Sequence, residues 1–96
     1  MTQKKVKTPR NLERYFKAVA NHRRIHILML VAKRPCISLE QIAEDMRGNI
    51  KTTAEHTRRL ALGGLIEKKY AGRTVQHELT PYGRVFYDFI RTFSHS

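Results

Sequence analysis

The residues with the most chemistry to offer lie in GNIKTTAEHTRRL, residues 48 to 60, where Lys51, His56, Arg58 and Arg59 stand among three threonines with one acid, Glu55. This set is not suited to a reaction. The chain has no Gly-rich phosphate loop, no nucleophile elbow and no pair of carboxylates set apart in an apolar context, so no enzyme is expected. It is suited to touching a polyanion. Long cationic side chains reach phosphates or the edge of guanine, and threonines hydrogen-bond bases or pack on a thymine methyl. A second basic cluster, Lys68, Lys69 and Arg73, follows shortly after. Between Arg47 and Arg73 seven basic residues face two acids, a net +5.

The whole chain carries the same bias. Nineteen Lys and Arg against eight Asp and Glu give +11 over 96 residues. Such an excess implies DNA, RNA or, less often, an anionic membrane surface as partner, against the plainer reading of a solubility charge. A hydrophobic share of 41% with 28% charged residues fits one small globular domain and not a disordered chain. The longest apolar run, Ile25 to Ala32, contains a histidine and falls short of the roughly 20 residues of a membrane span. The basic N-terminus lacks the apolar stretch of a secretory signal. One cysteine, Cys36, permits no internal disulfide and no multi-thiolate metal site within one chain. The cytoplasm, at the nucleoid, is the expected place, with no membrane partner.

The elements that must position these residues are legible from caps and periodicity. Residues 1 to 10 hold Lys4, Lys5, Lys7 and Arg10 and no acid, and read as a flexible basic arm or a plain disordered terminus. One domain is expected over 11 to 96. Asn11 can cap a first helix to about Ala20, and Asn21 a second from His22 to about Lys33, apolar nearly all round and ended by Pro35. Ser38 and Gln41 form a capping-box pattern for a third, with Leu39, Ile42, Ala43 and Met46 inward and Gly48 as its end. Asn49 caps a fourth to about Leu62, closed by Gly63-Gly64. Leu65 to Tyr70 and Thr74 to Leu79 read as strands around Ala71-Gly72-Arg73. Thr80 and Pro81 open a last helix to about Phe93. The fold class is mainly α with a small β-hairpin, in the order α-α-α-α-β-β-α.

The third and fourth helices, joined by about three residues, have the spacing of a helix-turn-helix, whose second helix enters the major groove. On the fourth helix Ile50, Ala54, Thr57, Leu60 and Ala61 share an inward face; Lys51, Thr52, Glu55, His56 and Arg59 lie opposite, with Arg58 at the edge. Glu55 either accepts from a cytosine amine or pairs with Lys51 or Arg59 one turn away, the pairing being favoured. His56 is a base or phosphate contact, a proton switch or a half-buried polar group, with the contact preferred.

At this point the chain resembles a known family. Residues 12 to 80 look like the winged helix-turn-helix domain of ArsR-type transcription regulators. The likeness is carried by LERYFKAVANHRRIHILMLV, by ISLEQIAEDM as the bracing helix, by TTAEHTRRLALGGLIEKK as recognition helix and following strand, and by AGRTVQHELT as wing. LTPYGR, 79 to 84, is similar to the junction after the wing in MarR-type regulators. The resemblance implies a homodimer that binds a pseudo-palindromic operator in duplex DNA and represses transcription. By position it makes Lys51, Thr52, Thr53, Glu55, His56 and Arg59 the recognition surface and Arg73 the wing tip. Thr53 and Thr57 stand where that family usually has an apolar residue, which leaves less apolar area under the helix.

A dimer is also suggested by the residues themselves. Tyr82, Val85, Phe86, Phe89, Ile90 and Phe93 form a dense apolar stripe on the last helix, more than one short helix needs to cover its own domain. Leu12, Tyr15 and Phe16 of the first helix fall on the same seam, and packing of the two helices within one chain is compatible with it. Metal sensing of the ArsR type is not expected. Ser38 and Glu40 occupy the family's Cys-x-Cys positions, Asp88 and His95 are two turns apart, and the His22/His26 pair has no completing thiol or carboxylate. No cofactor is implied. Two other readings fit the same residues: a nucleic-acid binder without sequence preference, on chromatin or RNA, and a winged helix used for protein–protein assembly.

Overall fold

The computed structural model describes residues 6–95. Its order is α1 (Pro9–Val19), α2 (His22–Lys33), β1 (Ile37–Ser38), α3 (Leu39–Asp45), α4 (Ile50–Leu62), β2 (Ile66–Ala71), β3 (Thr74–Leu79) and α5 (Pro81–Ser94). The three strands form one antiparallel sheet in the order β1-β3-β2. Together these elements are a winged helix-turn-helix: α3 and α4 are the helix pair, and β2 and β3 are the wing.

The helix boundaries follow the caps. Asn21 accepts from the backbone N–H groups of Arg23 and Arg24, and Asn49 from those of Lys51 and Thr52. Ser38 and Gln41 close the expected capping box. The first helix differs from expectation. Thr8, not Asn11, is its cap; Asn11 sits three residues in and returns its side chain to the Thr8 backbone N–H. Pro9 and Arg10 therefore belong to α1 and not to an arm. Of the rest of the expected arm, residues 1–5 lie outside the described residues, Thr8 is the cap, and Lys7 is docked on α5, its Nζ donating to Tyr82 Oη at 3.1 Å.

The core gathers Ile27, Leu28 and Val31 of α2 with Ile37, Ile42, Leu60, Leu65 and Ile66, so α2 is the central helix, as its composition demands. β1 is the element the sequence did not announce. Two residues are too few for a periodic signal, and the strand exists through its partner: Ile37 pairs with His77 and Ser38 with Gln76. This pairing ties the start of α3 to the wing.

His77 sits where that tie is made and is fully buried. Its Nδ1 lies 2.9 Å from the Ile37 carbonyl oxygen, which can only accept, so Nδ1 carries the proton. Nε2 is buried and lacks a hydrogen-bond partner. A second proton would add a charge with no water and no acceptor, and burial accordingly lowers the His77 pKa. The unfolded chain takes up protons near pH ~6.5 that the folded chain refuses, so stability is full above that pH and falls as the pH drops below it. Denaturant midpoints at about pH 7.5 and about pH 5.5 check this. His77→Asn, which keeps a donor near Nδ1 and does not titrate, is expected to be less stable at neutral pH but less sensitive to acid. Equal acid sensitivity of the two proteins would assign the effect elsewhere.

Candidate nucleic-acid interface

The turn between α3 and α4 sets the aim of the exposed helix. Met46 caps α3, and Arg47 takes a left-handed φ of 51°. That conformation normally favours glycine. Gly48, expected to be the terminator, serves differently: its N–H donates to the Ala43 carbonyl, and a Cβ there would press on Thr53 Oγ1 at 3.2 Å.

The inward face of α4 is Thr53, Thr57 and Leu60, all buried. Both threonine hydroxyls are satisfied within the helix, Thr53 Oγ1 donating to the Asn49 carbonyl at 2.8 Å and Thr57 Oγ1 to the Ala54 carbonyl at 2.9 Å. Their methyl groups thus stand in for the apolar residues expected beneath the helix. Two expectations are corrected. Thr53 is 4% exposed with its hydroxyl engaged, so it is no part of the outer surface. Ile50, read as inward, is 48% exposed, because it occupies the first turn, which overhangs the core.

The outer face carries Lys51, Thr52, Glu55, Arg58 and Arg59, all exposed. Glu55 pairs within the helix, as favoured, but its partners are Arg58 and Arg59 and not Lys51. Arg58 donates through Nε and Nη2 to the two carboxylate oxygens, each at 3.0 Å, and Arg59 Nε donates to Oε1 at 3.0 Å. These bonds, Arg58's first, hold the Glu55 pKa down to about 2. An exposed pair of this kind adds little stability. Its effect is positional: the carboxylate holds two guanidiniums side by side, each with more N–H donors than Glu55 occupies.

His56 is half-buried. Its Nδ1 is shut off from water without a hydrogen-bond partner. Burial, then the nearby charges of Arg24 and Arg23, lowers its pKa. Of the three readings, the half-buried polar group fits. A neutral, partly covered ring has no cationic contact to offer.

The wing stands beside this face. Ala71 and Thr74 pair across the turn, Gly72 takes a φ of 62°, and Arg73 is exposed at the tip. Lys68 is half-buried; burial and then the nearby charge of Arg58 lower its pKa, with Glu55 opposing. Lys69 forms an ion pair with Glu78 at 2.8 Å, so part of its charge is spent within the wing. Tyr70, outside the residues expected to touch nucleic acid, is 79% exposed next to these lysines, a residue type that packs on sugars and bases. Its signal was available: an aromatic inside a basic hairpin.

The second expected surface is the seam between α1 and α5. Leu12, Phe16, Tyr82, Val85, Phe89 and Phe93 are exposed apolar side chains on adjoining faces. Phe16 meets Phe86 edge-on at 5.2 Å, and Phe89 meets Phe93 at 5.0 Å. Three residues of the expected set sit deeper. Tyr15 is 8% exposed and part of the chain's own core, and Phe86 and Ile90 are half-buried against it. They support the seam from beneath. Among the described residues no group of three or more histidine, cysteine, aspartate or glutamate side chains is placed to hold a metal ion, and no helix is long and apolar enough to cross a membrane.

The sequence matches no family model and no curated relative. The fold, by contrast, has solved counterparts. HlyU from Vibrio cholerae superposes with a TM-score of 0.81 at 18% identity, covering 91% of this chain and 95% of that one. A homodimeric winged helix-turn-helix DNA-binding domain from Mycobacterium bovis, a possible ArsR-family transcriptional regulator, gives 0.80 at 24% identity over 96% of this chain and 88% of that one. FabT from Streptococcus pneumoniae, solved in complex with DNA, gives 0.71 at 18% identity over 85% and 64%. The chain thus has the winged helix-turn-helix fold of ArsR-type regulators, with MarR-like proteins as further structural neighbours.

Proposed function

We propose that the chain is a sequence-specific duplex-DNA-binding regulator of transcription that acts as a homodimer. The observation that carries this is the exposed face of α4. Lys51, Thr52, Arg58 and Arg59 stand free of the core on the second helix of a helix-turn-helix, with the wing cations Lys68, Lys69 and Arg73 beside them. α4 enters the major groove, where Thr52, Arg58 and Arg59 read base edges. The wing, through Arg73 and Tyr70, lies on the backbone or in the adjacent minor groove. Glu55 keeps the two guanidiniums from closing on phosphates indiscriminately. The seam of α1 and α5 joins two copies about a two-fold axis, so the dimer meets a pseudo-palindromic site. The homodimeric mycobacterial domain and the FabT–DNA complex support both halves of this reading. Occupancy of a promoter by such a dimer excludes other proteins from it, which makes repression the proposed outcome. An enzymatic role has no support in the site.

Binding of duplex DNA measured across a range of salt tests the proposal. The logarithm of affinity should fall steeply with the logarithm of salt, by about 0.9 for each phosphate neutralised. Glu55→Gln releases Arg58 and Arg59; it should bind random duplex more tightly and steepen the slope by about one phosphate's worth, ~0.9, while narrowing the preference for a specific site. A flat salt dependence, or negligible duplex affinity from an intact dimer, would favour the protein–protein reading.

A further inference from the structure

The exposed face of α4 and the wing leave a large part of the positive charge unused. Between α1, the first turn of α2 and the C-terminal end of α4 lies an open cleft of about 370 Å³. Arg10, Arg14 and Lys17, spaced i, i+4 and i+7 along α1, form one wall; Arg24 of α2 and Arg59 of α4 form the other. The cleft has one carboxylate, Glu13, and Lys17 takes it at 3.1 Å. Arg24 is anchored, its Nε donating to the Ala18 carbonyl at 2.7 Å and its Nη2 to the Lys17 carbonyl at 3.3 Å. The floor is apolar and firm: a Cβ on Gly63 would overlap the Ala18 side chain, and Leu62, 64% exposed, lies beside them.

Cations brought together around a concavity repel one another unless an anion sits between them. The concave shape suits a compact ligand better than the convex backbone of a duplex. The walls offer guanidinium N–H groups beyond those already engaged: Arg24 keeps Nη1, Arg59 keeps its two Nη groups, and Arg14 lies over the Tyr15 ring with Nη2 at 3.5 Å from Tyr15 Oη. The floor offers an apolar surface beside them. Arg59 belongs at once to this cleft and to the outer face of α4, where Glu55 holds it.

We propose that this cleft binds a small phosphate ester of nucleotide size, its phosphates between the arginine walls and its planar portion on Leu62, and that the bound ester draws Arg59 away from DNA. The regulatory half rests on the duplex reading given above; the binding half does not. An ester in the cleft competes with Glu55 and with base edges for one guanidinium, so occupancy weakens operator binding.

ADP titrated into the full chain at constant ionic strength, followed through the backbone amide signals of Ala18, Leu62 and Gly63, tests the binding half. Saturable shifts are expected with ADP and not with sulfate. The Arg10→Gln/Arg14→Gln double variant should bind ADP about tenfold more weakly, the loss expected for two charge-assisted contacts. Should that variant fail to fold, Arg14→Gln alone provides the comparison. ADP should also reduce duplex affinity in the parent chain and leave the double variant's unchanged. Sulfate matching ADP, or undiminished ADP binding by the double variant, overturns the proposal. So does a double variant that loses duplex affinity while the parent chain fails to bind ADP, since the cleft would then be a DNA-backbone contact. Because ADP binding is read on the free protein, its failure is distinguishable from failure of the duplex reading.

Discussion

Gly83→Ala is expected to destabilise the protein by about 3 kcal/mol or more, the largest effect of a methyl added at any of the five glycines. Gly83 is buried in the first turn of α5, where the helix lies on the backbone of the segment joining α4 to β2. A Cβ there would overlap the carbonyl oxygen of Leu65, with the Leu65 carbonyl carbon at 3.0 Å and Leu79 Cδ2 at 3.3 Å. Backbone cannot step aside as the end of a flexible side chain can. The segment is also fixed from both sides: the Leu65 N–H donates to the Leu60 carbonyl, and its own carbonyl accepts from Thr80 N–H at 3.1 Å. Thr80 Oγ1 then donates to the Gly64 carbonyl at 2.6 Å while accepting from Gly83 N–H. One methyl group thus forces either the Thr80 cap or the Leu65 bend to open. Gly72→Ala supplies the contrast: nothing stands near its Cβ, and only the φ of 62° resists, at about 1–2 kcal/mol. Thermal or denaturant unfolding checks both; a Gly83→Ala protein no less stable than Gly72→Ala would show that α5 does not rest on Leu65.

In the proposed homodimer, Phe89→Glu is expected to abolish association at concentrations where the parent chain is fully associated, and with it the proposed tight operator binding. Phe89 is 46% exposed in the isolated chain and lies between Phe16 and Phe93 on the seam. In a two-fold interface each substitution appears twice, so two carboxylates would be taken out of water into an apolar patch. Leaving a charge buried and unpaired costs about 3–5 kcal/mol. Association should therefore return only at much higher protein concentration, and a monomer holds one half-site where the dimer holds two. Because the site is half exposed in one chain, the fold itself should survive. Sedimentation together with duplex binding reads both effects. A dimer that persists in Phe89→Glu would place the interface on another face.

How far the sequence reached depends on whether a feature is local. Asn21, Ser38 with Gln41, Asn49, and Thr80 with Pro81 announced four helix starts, because a cap and its partners lie within four residues of one another. The inward and outward faces of α4 were also mostly readable, since helical spacing alone separates Leu60 from Lys51. Features made by distant partners were not. β1 exists because Ile37 meets His77, forty residues away. Thr53 and Thr57 read as surface or as weak core until their hydroxyls are seen turned onto the helix's own carbonyls. Thr8 is masked as a cap by Asn11, the better capping residue by type; the two act together. Tyr15 is buried and His56 half-buried through α5 and α2, neither visible from a helical wheel of their own element. The basic wall Arg10, Arg14 and Lys17 was legible as spacing on one helix, but it becomes a cleft only when α2 and α4 close its other side.

In the proposed function, α4 reads duplex sequence as one half of a symmetric pair. Selection of bound molecules from random-sequence duplex DNA tests this most directly. Enrichment of an inverted repeat is expected, its half-sites about one helical turn, roughly 10 base pairs, or a multiple of it apart. Recovery of bound DNA without any enriched sequence, or of a consensus without two-fold symmetry, would contradict it.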